Sequence, residues 1–305
     1  MDPLQVDEIP RLRNPVLVAA FAGWNDAAES ATSAVQLLLR TWSARRFASI
    51  DPEEFYSFTD TRPQIRLVDG AQRSLEWPSN VFYYHQAGPS LPRDVLLLLG
   101  VEPNLRWRAF TGLILDVVRR AGASLVVTLG ALLADAPHTR PVRVTGFATD
   151  PELARRINRE GVTRSRYEGP TGIVGVLHDA LRREGIASAS LWAGVPHYVS
   201  ASPNPRATAA LLRRLGAVLG LDLDLSALDA QGREFDAQVN AALAESPDLA
   251  EYVRTLERRA DEEGEEAQDL PSGEALFQEL EEFLRRRRDE GAGGEPGPED
   301  GGPGS

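Results

Sequence analysis

The run Val16-Leu17-Val18-Ala19-Ala20-Phe21-Ala22, followed at once by Gly23-Trp24-Asn25-Asp26, reads as a buried strand, a glycine turn and the start of a helix. Asn25 stands where a helix N-cap belongs, and the apolar positions after it, Ala31, Val35, Leu38 and Leu39, keep helical spacing. The same grammar recurs downstream. Asp94 to Gly100 is a second buried strand, a helix runs from about Leu105 to Arg120 and ends at Gly122, and Ser124 to Leu129 is a third strand. Val142 to Phe147 alternates like a strand, Pro151 to Asn158 has the look of a short helix, and Thr171 to Arg183 is a helix closed by Gly185. Ser188 to Val195 is the last clear strand, and a helix from Pro205 to Leu219 follows it. Between Arg45 and Gln86 the pattern changes to short alternating runs, among them Gln64 to Val68 and Val81 to Tyr84, with turn signals at Asp69-Gly70 and Pro78. That stretch predicts an antiparallel excursion. Alternating strands and helices over residues 15–220 predict one three-layer α/β/α domain with a mainly parallel sheet.

Residues 1–14 form an N-terminal arm, and beyond Gly220 only helical periodicity remains. Leu249, Tyr252, Val253 and Leu256 make one apolar stripe, and Leu276, Leu280, Phe283 and Leu284 another, so 221–290 reads as a helical extension. The segment Asp261 to Pro271 reads as an acidic loop, and Gly291 to Ser305 has too few apolar residues to offset the entropy of ordering. Charge follows the same division. Of 45 acidic and 33 basic residues, 19 and 7 lie from Glu245 onward, so the body carries 26 of each and the net charge of -12 belongs to the tail. No basic face suggests nucleic acid.

Cysteine is absent and every basic residue is arginine, which removes thiol nucleophiles, thiolate metal sites, Schiff-base lysines and a lysine-centred phosphate loop. The histidines at 85, 138, 178 and 197 have no pair at the spacing that puts two ligands on one helical face. Neither a dinucleotide fingerprint nor a Gly-x-Ser-x-Gly elbow occurs. No cofactor and no metal are therefore expected. The N-terminus is acidic where a secretory signal needs positive charge, and the first apolar run is too short to span a bilayer, so a cytoplasmic protein is expected.

Five short phrases follow or lie downstream of apolar runs, and in an open α/β sheet ligands bind beyond the carboxyl ends of the strands. They offer Asn25, Asp26, Glu102, Arg106, His138, Thr139, Arg140, Glu168, Thr171 and His197 as candidate groups of one crevice. Each phrase also has a structural reading. Gly23-Trp24-Asn25-Asp26 is a turn with Asn25 as cap and Trp24 packed over the sheet edge, and the charge of Asp26 disfavours phosphate at that helix start. Glu102 and Arg106 are spaced for an ion pair across one helical turn. Pro137-His138-Thr139-Arg140-Pro141 is a rigid loop in which His138 is either a general acid or base or a hydrogen-bonded surface group, with Arg140 an anion clamp. Glu168-Gly169-Pro170-Thr171-Gly172 is a turn and helix start with Thr171 as N-cap, and Pro196-His197-Tyr198 ends the last strand. His178, inside a helix, reads as a core or interface residue.

The runs GWNDA (Gly23 to Ala27), LLGVEPNLRW (Leu98 to Trp107), TLGALLADAPHTRPV (Thr128 to Val142), YEGPTGIVGVL (Tyr167 to Leu177) and LWAGVPHYV (Leu191 to Val199) resemble the proteasome assembly chaperone 2 family, in particular its actinobacterial branch. LPSGEALFQELEEFL (Leu270 to Leu284) resembles a helical tail of that branch. The resemblance implies an α/β/α domain related to purine nucleoside phosphorylases, homotrimers, and relatives that assist assembly of the proteasome α-ring. Some of those relatives dock through a terminal hydrophobic-tyrosine-any-residue motif; this sequence ends Gly302-Pro303-Gly304-Ser305, and docking through that element is not expected. The function expected is non-catalytic binding or assembly, with the chain itself and a protein as partners. A nucleoside hydrolase or phosphorylase, or a small-ligand binding protein using the strand-end crevice, is the alternative.

Overall fold

The unbroken apolar runs form the middle of a nine-stranded sheet. The computed structural model describes residues 2–68, 72–88, 93–199 and 201–269, with side chains to residue 262. Its strands are β1 (Leu4–Val6), β2 (Val16–Ala22), β3 (Arg45–Ile50), β4 (Gln64–Val68), β5 (Gln72–Glu76), β6 (Asn80–His85), β7 (Val95–Val101), β8 (Leu125–Ala134), β9 (Val144–Ala148), β10 (Thr163–Arg164) and β11 (Ala187–Pro196). The large sheet has the order β1-β3-β6-β7-β2-β8-β11-β9-β10, while β4 and β5 pair only with each other. Strands β7, β2, β8 and β11 are parallel, with Val16 opposite both Val95 and Leu125. Antiparallel neighbours flank this centre, β6 on one side and β9 on the other.

Strand β2 shows why its sequence does not alternate. Val16, Val18 and Ala20 enter one core, and Leu17, Ala19 and Phe21 enter the other. Helices α1 (Ser30–Thr41), α3 (Pro151–Arg159) and α5 (Pro205–Leu219) cover the first face, and α2 (Trp107–Ala121) and α4 (Ile173–Arg183) the second. The result is the expected three-layer α/β/α arrangement. The expected antiparallel excursion is also present, as β3, β6 and the β4–β5 hairpin.

Two helices continue the chain, α6 (Ser226–Ala244) and α7 (Pro247–Asp269). Ion pairs Arg206–Asp236 and Arg213–Asp229 hold α6 along α5. The first compact unit runs Met1–Leu256, so α6 and the start of α7 belong to it. The loop expected from Asp261 is instead helical through Asp269, because Glu, Ala and Gln are good helix formers and no Gly-Pro pair interrupts them there. The apolar stripe at Leu276 to Leu284 and the Gly291 to Ser305 tail lie outside the described residues.

Candidate functional site

At the carboxyl end of β7, Glu102 reaches across to two other phrases. Its Oε1 accepts from Asn25 Nδ2 at 2.8 Å and from the Ile173 backbone N–H at 2.7 Å. A carboxylate distant in sequence thus answers the first N–H of α4, where its charge also complements the helix dipole. Thr171, the expected cap, does not serve: its hydroxyl donates to the Gly172 carbonyl at 3.4 Å, and the N-cap position belongs to Gly172. A Cβ on Gly172 would lie 2.5 Å from both Asn25 Oδ1 and Glu102 Oε1, so the close approach of three segments requires glycine there. Asn25 is 1% exposed, and its Oδ1 has no hydrogen-bond partner.

Asn25 is not the cap of α1 either. A three-residue 3-10 turn, Ala27–Glu29, with Ala28 and Glu29 at φ 48° and 50°, separates the phrase from the helix. The side chain that spans this kink is Asp26. Its Oδ1 accepts from Ala31 N–H at 2.6 Å and Thr32 N–H at 3.3 Å, and its Oδ2 accepts from the Thr32 hydroxyl. Burial pushes the Asp26 carboxyl above its ordinary range, against the downward pull of these hydrogen bonds.

The histidine phrases meet elsewhere. His138 is buried, with its backbone N–H donating to Tyr198 Oη at 2.8 Å, its Nδ1 also 2.8 Å from that hydroxyl, and its Nε2 3.1 Å from Asn240 Oδ1 on α6. The Nε2–H tautomer satisfies this set, with Tyr198 donating to Nδ1. Both ring nitrogens are therefore engaged by protein groups. His197 is exposed, lies 3.2 Å from Asp135 Oδ1, and packs edge-on against Tyr198 and Tyr252. Thr139 is exposed and Arg140 half-buried, with Arg140 Nη1 3.4 Å from Thr139 Oγ1.

The expected Glu102–Arg106 ion pair is replaced. Arg106 adopts φ 53°, which stops the helix from starting before Trp107, and it pairs with Glu54. Glu168 is exposed.

The ten candidates consequently do not share one crevice: Asn25 and Glu102 meet at the start of α4, His138 and His197 meet around Tyr198, and of the ten Thr171 alone lines the roomiest of the described cavities. That cavity is a crevice of about 840 Å³ at the ends of β2 and β8, floored by β9 and β11 and walled by α4. Trp24, Leu132, Leu133, Phe147 and Tyr167 line it and remain substantially exposed, Trp24 by 63%. Trp24 does not pack over the sheet edge as expected but stands at the crevice with most of its surface in solvent. Five large apolar side chains around one opening form the kind of patch that marks an interaction site.

Several of the crevice's polar groups are already bonded within the chain. Tyr167 Oη donates to the Pro170 carbonyl, Thr149 Oγ1 donates to the Ser188 carbonyl, and Asp179 pairs with Arg182. His178 lies 2.8 Å through Nε2 from Thr128 Oγ1 and 2.8 Å through Nδ1 from Ser188 Oγ. Burial holds its imidazole down at about 4, so it is neutral at physiological pH. Because the folded-state value is depressed, the stability this histidine contributes is present above about pH 6.5 and is lost as pH falls through about 4, a loss on the order of 3 kcal/mol. Denaturant titrations should therefore show a flatter stability profile between these pH values for His178→Gln than for wild type. An unchanged slope would contradict the assignment.

The crevice aromatics were legible only in part. Alternation over Val142 to Phe147 places Thr145 and Phe147 on the face opposite Val144, but nothing local reveals that this face opens onto the crevice. Among the described residues no cluster of three His, Cys, Asp or Glu could hold a metal, and no helix is long and apolar enough to cross a membrane.

The sequence profile of the PAC2 family matches residues 20–243. A PAC2 family protein from Streptomyces avermitilis is similar at 46% identity and TM-score 0.72, covering 78% of this chain and 99% of its own. A proteasome-assembly chaperone homologue from Mycobacterium tuberculosis is similar at 47% identity and TM-score 0.71, with the same coverage. An archaeal proteasome activator from Pyrococcus furiosus shares the fold at 21% identity and TM-score 0.63, covering 78% of this chain and 97% of its own. No curated protein matches.

Proposed function

Because the chain belongs to the PAC2 family, we propose that it is a non-catalytic assembly factor of the cytoplasm that self-associates as a trimer and binds proteasome subunits. The observation that carries this reading is the strand-end crevice, which presents exposed aromatic and aliphatic surface. Trp and Tyr in such a setting are common anchors of protein contacts. Acid-base candidates elsewhere have structural duties: Asp26 and Glu102 cap helices, and His138 is held between Tyr198 and Asn240. A nucleoside hydrolase or phosphorylase needs such groups converging on one reacting atom, and their separation favours the binding reading.

The test mixes the purified chain with separately expressed proteasome α-type subunits and follows ring formation on native gels. Faster ring formation is expected with wild type, and its loss with Trp24→Glu. No effect on ring formation, combined with saturable turnover of a nucleoside panel, would overturn the proposal in favour of the enzyme.

A further inference from the structure

The β4–β5 hairpin is a ribbon with one mainly apolar face, which stays exposed among the described residues. Its register pairs Ile65 with Leu75 and Leu67 with Arg73, which places Ile65, Leu67 and Leu75 on one side together with Arg73. Gln64, Arg66, Val68, Gln72, Ser74 and Glu76 occupy the other, where Val68 is the one apolar residue and Arg66 Nε lies 2.6 Å from Glu76 Oε2. The three apolar side chains are 63%, 64% and 50% exposed. An isolated two-stranded ribbon is at best marginally stable in water, and a one-sided apolar pattern is the mark of a sheet that packs on something. Trp77 against Phe58, ring centroids 4.7 Å apart, anchors only its base.

A complementary surface lies on the same molecule. On β9, Val144 and Gly146 face the core under α3, whereas Thr145 and Phe147 face the crevice beside α4, with Phe147 42% exposed. This is an open sheet face, the surface onto which a second small sheet packs at about 10 Å. The position of the two surfaces matters as much as their chemistry. The hairpin leaves the sheet after Ile50 of β3 and returns at Asn80 of β6, at the rim where the parallel strands end, and the crevice opens at that same rim. Across the sheet order they are separated by about four to five strands, roughly 20 Å at the usual strand spacing. None of the described hairpin residues lines the chain's own crevice.

We propose that the hairpin of one copy lays its Ile65-Leu67-Leu75 face onto the crevice of the next copy, a head-to-tail contact. This rests on the self-association reading and specifies which surfaces make it. The contact is heterologous, so repetition closes a ring when the rotation between copies allows. It covers both exposed apolar surfaces at once. A small molecule is a poorer occupant, because a ligand pocket needs a few well-placed free polar groups to orient its guest, and Tyr167, Thr149, Asp179 and His178 are spent within the chain.

The test uses two surface variants of the full chain, Leu67→Glu on the hairpin and Leu133→Glu at the crevice, with circular dichroism and thermal midpoint checked against wild type. Both residues are at least 60% exposed, so folding should be unaffected. Wild type is expected to be oligomeric by light scattering, and each variant alone a monomer. The mixture is decisive. Each variant keeps the surface the other has lost, so equal amounts should form a 1:1 heterodimer through one intact junction. If Leu133→Glu keeps the wild-type mass, or the mixture stays monomeric, the hairpin-to-crevice contact is overturned while self-association stands. A wild type that is monomeric at every concentration overturns both. Because the chain has no cysteine, oxidation of Leu67→Cys/Leu133→Cys supplies a second readout. Covalent dimers and higher forms on a non-reducing gel are expected, and an internally linked monomer would show instead that each hairpin fills its own crevice.

Discussion

Glu102→Ala is expected to lower the stability of the chain by about 2–4 kcal/mol, and Glu102→Gln by about 1 kcal/mol or less. The alanine variant leaves two donors, Asn25 Nδ2 and Ile173 N–H, without the oxygen they share. Both residues are buried, and each unpaired buried donor costs about 1–3 kcal/mol. Asn25 Oδ1 lacks a donor and is a spare acceptor beside the gap, so its capture of Ile173 N–H sets the lower end of the range. Glutamine keeps an acceptor oxygen in place and loses only the charge that complements the start of α4. Equilibrium denaturation of both variants checks the difference. Equal losses for Ala and Gln would show that the charge, not the shared oxygen, holds the three segments together.

Gly100→Ala should cost more, about 3–5 kcal/mol. A Cβ on Gly100 would overlap Asn80 Oδ1 and sit 2.9 Å from Phe21 Cδ1, and both neighbours are fully buried. Asn80 is not free to move. Its Oδ1 accepts from Val101 N–H at 3.1 Å, its Nδ2 donates to Tyr56 Oη at 2.5 Å, and Tyr56 Oη donates to the Val101 carbonyl at 2.5 Å. Added volume in a packed core costs about 1–3 kcal/mol by strain, and displacing Asn80 adds broken buried hydrogen bonds. The control is Gly112→Ala, at a helical position with open space for the new methyl, which should stabilise by about 0.5–1 kcal/mol. Thermal or denaturant unfolding of the pair separates a steric cause from a general effect of replacing glycine. A mild loss for Gly100→Ala would mean that the end of β7 is looser than its contacts imply.

The two sites are adjacent along the chain, and their proximity explains how the fold builds the strand-end region. Asn80 and Tyr56 fix Val101, and the next residue, Glu102, then carries its carboxylate to the start of α4. Helix α4 in turn forms the wall of the crevice.

What the sequence made legible was whatever is decided locally. Unbroken apolar runs marked β2, β7 and β8 because burial on both faces leaves no reason to alternate, and Pro205 with Gly220 bracketed α5 closely. The family was legible in the ordered runs around Gly23, Leu98, Thr128, Tyr167 and Leu191. The caps were not. Asp26 replaces Asn25 because a left-handed kink at Ala28 and Glu29 intervenes, and Glu102 replaces Thr171 from 71 residues away. Arg106 pairs with Glu54, 52 residues distant, for the same reason: tertiary neighbours outrank sequence neighbours. The crevice escaped because its exposed apolar side chains, Trp24, Leu132, Leu133, Phe147 and Tyr167, come from four separate segments. Their common property, exposure on an open sheet face, exists only after folding.

The most direct test of a protein-docking crevice is the native mass of wild type beside Trp24→Glu, measured by light scattering at matched concentration with circular dichroism as the control for folding. Wild type is expected at about three times the 33.3 kDa chain mass, and the variant at the mass of one chain with an unchanged spectrum. Equal masses for the two would contradict the crevice's role in assembly.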